Sequence, residues 1–542
     1  MEEHIFGTYA TDDLKLVHHR AVRRGLQHRH DLDPRDPLPG QPVTITVHTG
    51  PDLSADHVAC YYTLDGSQPD GARGVARNGR VLSFERVGVV WDSLLWGYVA
   101  VWQAALPPQP EGTIVRYCIG AWADGEPEVF ADWPDAQITA EKAAEAFFHN
   151  RPQPDAPPGD PAHGRVFTFH VDRLRPPDWA REAIIYEIFV DRFHPGEGRG
   201  WLQTEDVQGL CGGTLWGVVD KLDYLADLGV NCLWLTPIFP SPTHHGYDAT
   251  DYFHVEPRVG GDDALRALVA AAHAHGIRLV LDLVCNHMSH RHPIFQAALH
   301  DPSSPYREWF TFDDSPVGYR SFFGVPQMPQ INLAHPEARQ WMIDVGRYWL
   351  REFDVDGYRL DYGNGPGPDF WADFWAACKA EKPDCFCFGE IVEAPDVIRT
   401  YVGRLDGNLD FHVESALRKT YALKEWTEAD FERFVARHLA YFSDDFVMPT
   451  FLDNHDTSRF LYAAGGDKDA LRRAAAAQFR LPGPPVIYYG TEIGLSQRQG
   501  KGGGIGLDAS RTVMLWGDEQ DRDLLAYYKQ LIAARKSRLA RP

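Results

Sequence analysis

The chain has 542 residues and a formal net charge of −23, long enough for more than one domain with a sizeable core. That acidic balance excludes a phosphate-reading surface, which needs a basic footprint, and disfavours an anionic membrane; nucleic acid and membrane are not expected as partners. The aromatic content, Trp 16, Tyr 22 and Phe 29, serves core filling and stacking on apolar ligand faces, sugars included, equally well.

The first residues, "MEEHIFGTYATDDLKLVHHR", lack a basic segment followed by an apolar one, so no signal peptide is expected. No run of about 18 apolar residues is present to span a bilayer. Eight cysteines in so long a chain are not a disulfide framework, although Cys60 and Cys118 could meet in a small β domain. A cytoplasmic location is expected.

Residues 1–150 are expected to form an N-terminal β-sandwich domain. Within them "PVTITVHTG", "HVACYYTLDG", "GRVLSFERV", "YVAVWQAAL" and "GTIVRYCIGAWADG" are short β-branched or aromatic runs between turn signals. Residues 151–178 read as linker and lead-in, opening on the proline-rich "RPQPDAPPGDPAHG". From 179 to 542 the rhythm becomes strand, helix, strand, helix. The strands are "AIIYEIFVDRF", "VNCLWLTPI", "RLVLDLVCNH", "VDGYRLDY", "CFCFGEIV", "NLDFHV", "MPTFLDNHD" and "PPVIYYGTEIGL". Amphipathic stretches such as "DDALRALVAAAHAHG" separate them. Eight consecutive units of this kind predict an α/β fold, a (β/α)8 TIM barrel. A doubly wound sheet is the competing architecture, but no "GxGxxG" follows the first strand. The long connection 288–330 predicts a small subdomain inserted after the third strand.

In a barrel, polar residues at strand C-termini converge on one face. Here these are Asp282, Asn286 and His287 on the third strand, Arg359 and Asp361 on the fourth, Glu390 on the fifth, and His455 and Asp456 on the seventh. Any one of them would pass as a turn residue or a satisfied core group. Clustered acids are costly without a function, because like charges raise one another's protonation. The set suits glycoside cleavage with retention, which needs one ionised carboxylate and one protonated carboxyl. Arg359, two residues before Asp361 on the same strand face, would keep Asp361 ionised; the apolar surroundings of Glu390 would raise its pKa.

In order, "DLVCNH", "GYRLDY", "FGEIV" and "FLDNHD" resemble the four motif regions of the α-amylase superfamily, glycoside hydrolase family 13. "HGYDATDYFHVEPRVGG" resembles the stretch that supplies its stacking tyrosine and an aspartate, here Tyr247 and Asp248. "MPQIN" resembles the "MPKLN" signature of the neopullulanase, cyclomaltodextrinase and maltogenic amylase group, with Gln330 in place of lysine. The resemblance implies a retaining hydrolase of short α-glucans, with an oligosaccharide substrate. A glucosyltransferase or isomerase of the same fold is the alternative, and a non-catalytic sugar-binding protein a weaker one. It implies Asp361 as nucleophile, Glu390 as acid/base and Asp456 as the acid that grips the sugar. His287 and His455 would hydrogen-bond that sugar, Tyr247 would stack on it and Arg359 would orient Asp361. No cofactor is required; calcium is admitted, with Asn286 as its ligand. Members often dimerise through the N-terminal domain, and a homodimer is expected on that ground. Where the group reads "VANEVDHEFW" this chain reads "YGNGPGPDFW", keeping Asn364 but placing Gly365 for the glutamate. The usual C-terminal β-sandwich is not expected after "RKSRLARP". The glycine-rich "QGKGGGIGLDAS" is expected as a rim loop, and the close spacing of His287, His290 and His292 as no metal site.

Overall fold

The computed structural model describes residues 19, 23–133, 165–500 and 506–540. The proline-rich linker and residues 501–505 of the glycine-rich stretch lie outside them.

In the N-terminal region alternation makes strands: Val43–Thr49 buries every second side chain. Two antiparallel five-stranded sheets result. One runs Leu26–Gln27, Val43–Thr49, Gly97–Leu106, Glu85–Asp92, with Leu32–Asp33 beside Val43–Thr49. The other runs Val129–Phe130, Thr113–Trp122, His57–Thr63, Arg80–Ser83, with Phe167–Val171 beside Thr113–Trp122. Ile45, Val47 and Trp102 of the first pack in one core with Cys60, Tyr117 and Phe169 of the second. Phe167–Val171, expected in the lead-in, pairs with Thr113–Tyr117 and so completes the second sheet. Cys60 sits opposite Ile119 and Cys118 opposite Tyr61, so the two thiols project to opposite faces; both are free.

Seven parallel strands follow in spatial order Gly407–Asn408, Phe386–Gly389, Gly357–Leu360, Arg278–Leu283, Cys232–Leu235, Ile185–Ile188 and Val486–Tyr488. Residues 447–450 close the ring. Gly407 bridges Val447 and Thr450 bridges Pro485, both in parallel. Asn408 N donates to Val447 O at 3.0 Å, and Val486 N to Thr450 O at 2.7 Å. The sheet is thus a closed barrel with eight strand positions.

Helices wrap it because their apolar residues recur every three or four positions. Pro336–Phe353 buries Ala338, Met342, Val345, Trp349 and Phe353. It starts with proline in its first turn and stops where Asp354 turns left-handed. The N-terminal sheets meet the barrel at the helix Gly367–Glu381. His30 Nε2 and Asp369 Oδ1 lie 2.9 Å apart, while Asp373 takes Arg116 and His170 at 2.8 and 2.9 Å. Between the third strand and Pro336, the chain forms the helix Pro293–His300, two single turns and isolated antiparallel bridges such as Phe312 with Tyr319 and Ser321 with Pro329.

Candidate active site

Inside the barrel, alternation decides which residues point inward. Ile185, Cys232, Trp234, Val280, Phe386 and Phe388 share the interior core. The same period of two aims Glu187, Asp282 and Arg359 inward, one step nearer the C-terminal mouth. Register seats Glu187 beside Trp234 and Asp282 beside Arg359.

Arg359 is the hub. Its side chain is fully buried, and Nη1 donates to Asp282 Oδ1 and Oδ2 at 2.8 and 2.9 Å and to Asp361 Oδ1 at 2.8 Å. Nη2 lies 2.7 Å from Glu390 Oε1. The guanidinium therefore spans both acids expected to react, rather than serving Asp361 alone. The Tyr362 backbone N–H donates to Glu390 Oε2 at 3.1 Å. Tyr362 adopts φ 40°, a left-handed conformation that costs a bulky residue roughly 1–2 kcal/mol and here aims its amide at the carboxylate.

Burial pushes the Asp361 carboxyl well above the usual carboxylate range; Arg359 opposes this, and Glu390 and Asp282 add to it. Burial likewise raises Glu390, again against Arg359. The sequence pairing of Arg359 with Asp361 thus overstates the guanidinium: desolvation is the larger effect at both acids. Desolvation and the repulsion between the two carboxyls favour keeping one proton on the pair, against the pull of Arg359.

Across the mouth stands a second cluster. His455 Nδ1 meets Glu187 Oε1 at 2.6 Å and its Nε2 meets Asp456 Oδ2 at 3.0 Å. Burial alone would neutralise this imidazole, yet its two acidic neighbours raise its pKa to about 10. Asp456 is held far below its ordinary value, against burial, by His455 and Arg511. Asn454 Oδ1 accepts the backbone N–H of Asp456 at 3.0 Å and shapes the turn that presents it. The Tyr247 ring stacks on His455 with centroids 5.4 Å apart and planes at 10°, and its hydroxyl donates to Asp282 Oδ2 at 3.0 Å.

Glu187 and Arg511 are partners that sequence reasoning missed. Arg511 Nη2 donates to Asp456 Oδ1, and Nη1 to Asp508 Oδ1, each at 2.9 Å. Glu187 carried a signal: it is the lone charge in the apolar "IIYEIF". Arg511, past the glycine-rich stretch, carried none.

Other expected site residues are turned into the protein. Asp248 Oδ1 accepts Ser241 Oγ at 2.7 Å and also Thr243 Oγ1, so it holds its own loop together. His287 is buried, with Nε2 at 3.1 Å from Tyr247 O and Nδ1 at 3.1 Å from Asn286 Nδ2. The amide must donate there, which makes His287 a neutral Nε2–H tautomer; burial lowers its pKa to about 4. Both ring nitrogens are engaged, so the expected sugar bond has no free atom on this ring. Phe322 stacks on it at 4.8 Å, whereas Trp309 of the same connection is buried in the barrel's outer core.

Asn286 does not fit a calcium ion. Its Oδ1 accepts Gln330 Nε2 at 3.2 Å, and Gln330 Oε1 in turn accepts Arg320 Nε at 2.9 Å. An amide donor faces the oxygen that a cation would need. Among the described residues no group of three or more His, Cys, Asp or Glu side chains is placed to hold a metal.

The model of the family described as "Alpha amylase, catalytic domain" matches residues 187–540. The chain belongs to the α-amylase family. Among curated relatives it is 41% identical over 370 residues to "Alpha-amylase 2" of Dictyoglomus thermophilum, covering 68% of this chain and 65% of that one. It is 36% identical over 411 residues to a cyclomaltodextrinase of Geobacillus thermopakistaniensis, covering 72% and 68%. A solved cyclomaltodextrinase superposes with a TM-score of 0.64 at 27% identity, over 95% of this chain and 84% of that one. The chain spans 64% to 68% of the length of the first curated relatives it matches. Other α-amylase family relatives bear the names intracellular maltogenic amylase and neopullulanase.

Proposed function

We propose that this α-amylase family chain is a retaining glycosidase that cleaves α-glucosidic bonds in short α-glucans. The observation that carries it is the single Arg359 guanidinium gripping Asp361 and Glu390 at the barrel mouth. Such a reach suits the roughly 5–5.5 Å carboxyl separation of retaining enzymes. The names of the relatives, cyclomaltodextrinase, maltogenic amylase and neopullulanase, support the substrate class.

A ring seated against Tyr247 would meet Asp456 through its hydroxyls, with the charged His455 behind that carboxylate holding it in place. Asp361 attacks the anomeric carbon as Glu390 gives its proton to the departing oxygen, leaving a glycosyl ester on Asp361. Glu390 then takes a proton from water, the water oxygen attacks the same carbon, and Asp361 leaves as a carboxylate. No step passes through a metal. Phe322 and the bridges around it support reading 288–330 as a small unit inserted beside this cleft.

The test is incubation with maltotriose, β-cyclodextrin, pullulan, starch, trehalose and sucrose, with anomers followed by NMR. Asp361→Asn and Glu390→Gln each lower turnover by at least about a thousandfold while the fold persists. First-formed products of β configuration, or either variant at full activity, would refute the assignment.

We further propose self-association through the N-terminal region in a reducing, cytoplasmic setting. The edge strand Glu85–Asp92 and its hairpin partner expose Val89, Val90, Trp91, Trp96 and Tyr98, and all eight cysteines are free. No helix of the described residues is long and apolar enough to cross a membrane. Sedimentation velocity should show a dimer that Trp96→Glu dissociates; a monomeric wild type sinks the idea.

A further inference from the structure

The helix Gly367–Glu381 begins soon after the fourth strand ends, and residues 362–366 are all that separates it from Asp361. Its first two turns carry the contact with the N-terminal region. Asp369 Oδ1 accepts the backbone N–H of Thr168 and lies 2.9 Å from His30 Nε2. One turn on, Asp373 takes Arg116 and His170 at 2.8 and 2.9 Å. His30 lies between the short strands Leu26–Gln27 and Leu32–Asp33 of the first sheet, while Arg116, Thr168 and His170 belong to the second. Both sheets therefore close on one helix end. His30 and Asp369 are buried. Burial opposes the charge of Asp369, yet His30 and Arg404 keep it below the usual carboxylate range. A buried carboxylate left without such partners is costly, so the seat of this helix is firm.

The other face of the same turn holds the catalytic loop. Residues two apart on a helix do not share a face, and Trp371 turns into the barrel side, where its Nε1 donates to the Gly363 carbonyl at 2.8 Å. The Gly363 N–H donates to Glu390 O at 2.8 Å, so this residue is fixed through both of its backbone groups. Next to it stands Tyr362, whose left-handed backbone aims its amide at Glu390 Oε2 at 3.1 Å. A bulky residue keeps that conformation only where its surroundings impose it. Contacts thus run without a break from His30 to the acid/base.

We propose that the N-terminal region is a positioning element of the catalytic centre: His30 and Thr168 seat Asp369, which keeps Trp371 on Gly363 and the Tyr362 amide on Glu390. On the glycosidase reading above, His30 and Trp371 act through this path without touching substrate. When the seat loosens, Glu390 loses a donor that favours its ionised form, becomes a weaker acid and holds its plane less well. Its charged neighbours stay in place: Arg359 and Asp361 from the fourth strand, Asp282 from the third behind Arg359, and His455 and Asp456 from the seventh.

Two donors read the effect. α-Maltosyl fluoride releases its fluoride with little need of a proton, whereas maltotriose needs the Glu390 proton to free its leaving sugar. In His30→Ala and in Trp371→Phe, which removes the indole donor, the ratio of kcat/KM for maltotriose to that for the fluoride falls about tenfold, the worth of one hydrogen bond to a charged group. The alkaline limb for maltotriose moves up by about one pH unit. His30→Gln, whose amide can still donate to Asp369, recovers most of both. The two changes combined do no more than the larger alone, because they act through one path. Where circular dichroism shows His30→Ala unfolded, Arg116→Ala, which removes a partner of Asp373, carries the same prediction. An unchanged ratio in the folded variants, a fall shared equally by both donors, or effects that add overturns the proposal. Wild-type enzyme that releases no fluoride, or releases it undiminished in Asp361→Asn, instead overturns the glycosidase reading itself.

Discussion

Replacing Arg359 separates its charge from its geometry. Nη1 and Nη2 together reach Asp282, Asp361 and Glu390 at 2.7 to 2.9 Å. A hydrogen bond to a charged group contributes about 1.5–3 kcal/mol. Lysine keeps the charge but offers one nitrogen, which cannot serve both catalytic acids while staying on Asp282. Loss of one such contact is worth about 1.5–3 kcal/mol, so Arg359→Lys should lower kcat/KM by roughly 10- to 150-fold. Its pH optimum should stay put. Arg359→Gln removes the charge, worth about 4 kcal/mol toward an acid roughly 4 Å away at an effective dielectric near 20. Because Arg359 lowers the pKa of both Asp361 and Glu390, its loss raises both. The acid limb of the kcat/KM profile follows ionisation of the pair and the alkaline limb follows loss of its remaining proton. Both limbs should move to higher pH. The assay is kcat/KM for maltotriose from pH 4 to 9, with melting followed by circular dichroism to confirm folding. An Arg359→Gln profile superimposable on wild type after scaling would refute the hub role.

Glu187→Gln removes the carboxylate on His455 Nδ1, so the His455 titration seen by nitrogen-15 NMR should fall well below the wild-type value of about 10; an unmoved midpoint would show that Asp456 alone supports the charge. A Cβ on Gly365 would sit 1.9 Å from Asn286 Oδ1, so Gly365→Ala should cost about 1–3 kcal/mol in denaturant unfolding. In an Asn286→Ala background the same change should cost markedly less, and equal costs would break the link. With an amide donor already on Asn286 Oδ1, chelator treatment should leave maltotriose turnover and melting temperature unchanged; a loss restored by calcium would contradict this.

The barrel was legible because its two periods are strong. Buried runs such as "RLVLDL" and "GYRL", each followed by a helical repeat, fix the strand order without any view of the ring. The site was legible where chemistry lies within one strand: alternation alone puts Arg359 and Asp361 on one face. What escaped was contact made by closure. Glu187 touches His455 across a separation of 268 residues, a neighbour that exists only because residues 447–450 seal the sheet. The inward turn of Asp248 escaped for another reason. Its partners Ser241 and Thr243 are local, yet nothing in "SPTHHGYD" says whether a carboxylate serves its loop or a ligand. Arg359 was the instructive case: the sequence shows its neighbour two residues away but not Glu390, its neighbour on the next strand.

That shared grip has a consequence for the second half of the reaction. In the free enzyme Asp361 and Glu390 are both raised by burial, and the charge of Glu390 raises Asp361 further; repulsion between two carboxylates acts on both alike. One proton serves the pair, and a glycosidic oxygen beside Glu390 draws it there as positive charge develops at the carbon facing Asp361. Once Asp361 is esterified, its negative charge is gone while Arg359 stays 2.7 Å from Glu390. The guanidinium then faces Glu390 and Asp282 alone, and Glu390 loses the neighbour that opposed its ionisation. Its pKa must fall, which converts the acid of the first step into the base of the second without any movement of the chain. The check is a 2-deoxy-2-fluoro-α-glucosyl fluoride adduct on Asp361, with carbon-13-labelled glutamate followed by NMR. Glu390 should titrate at lower pH in the adduct than in the free enzyme, and Arg359→Gln should leave it titrating higher in both. A Glu390 carboxyl that titrates at the same pH before and after capture would mean that Asp361 and Glu390 do not feel each other, and the shared guanidinium would have to be explained as structure alone.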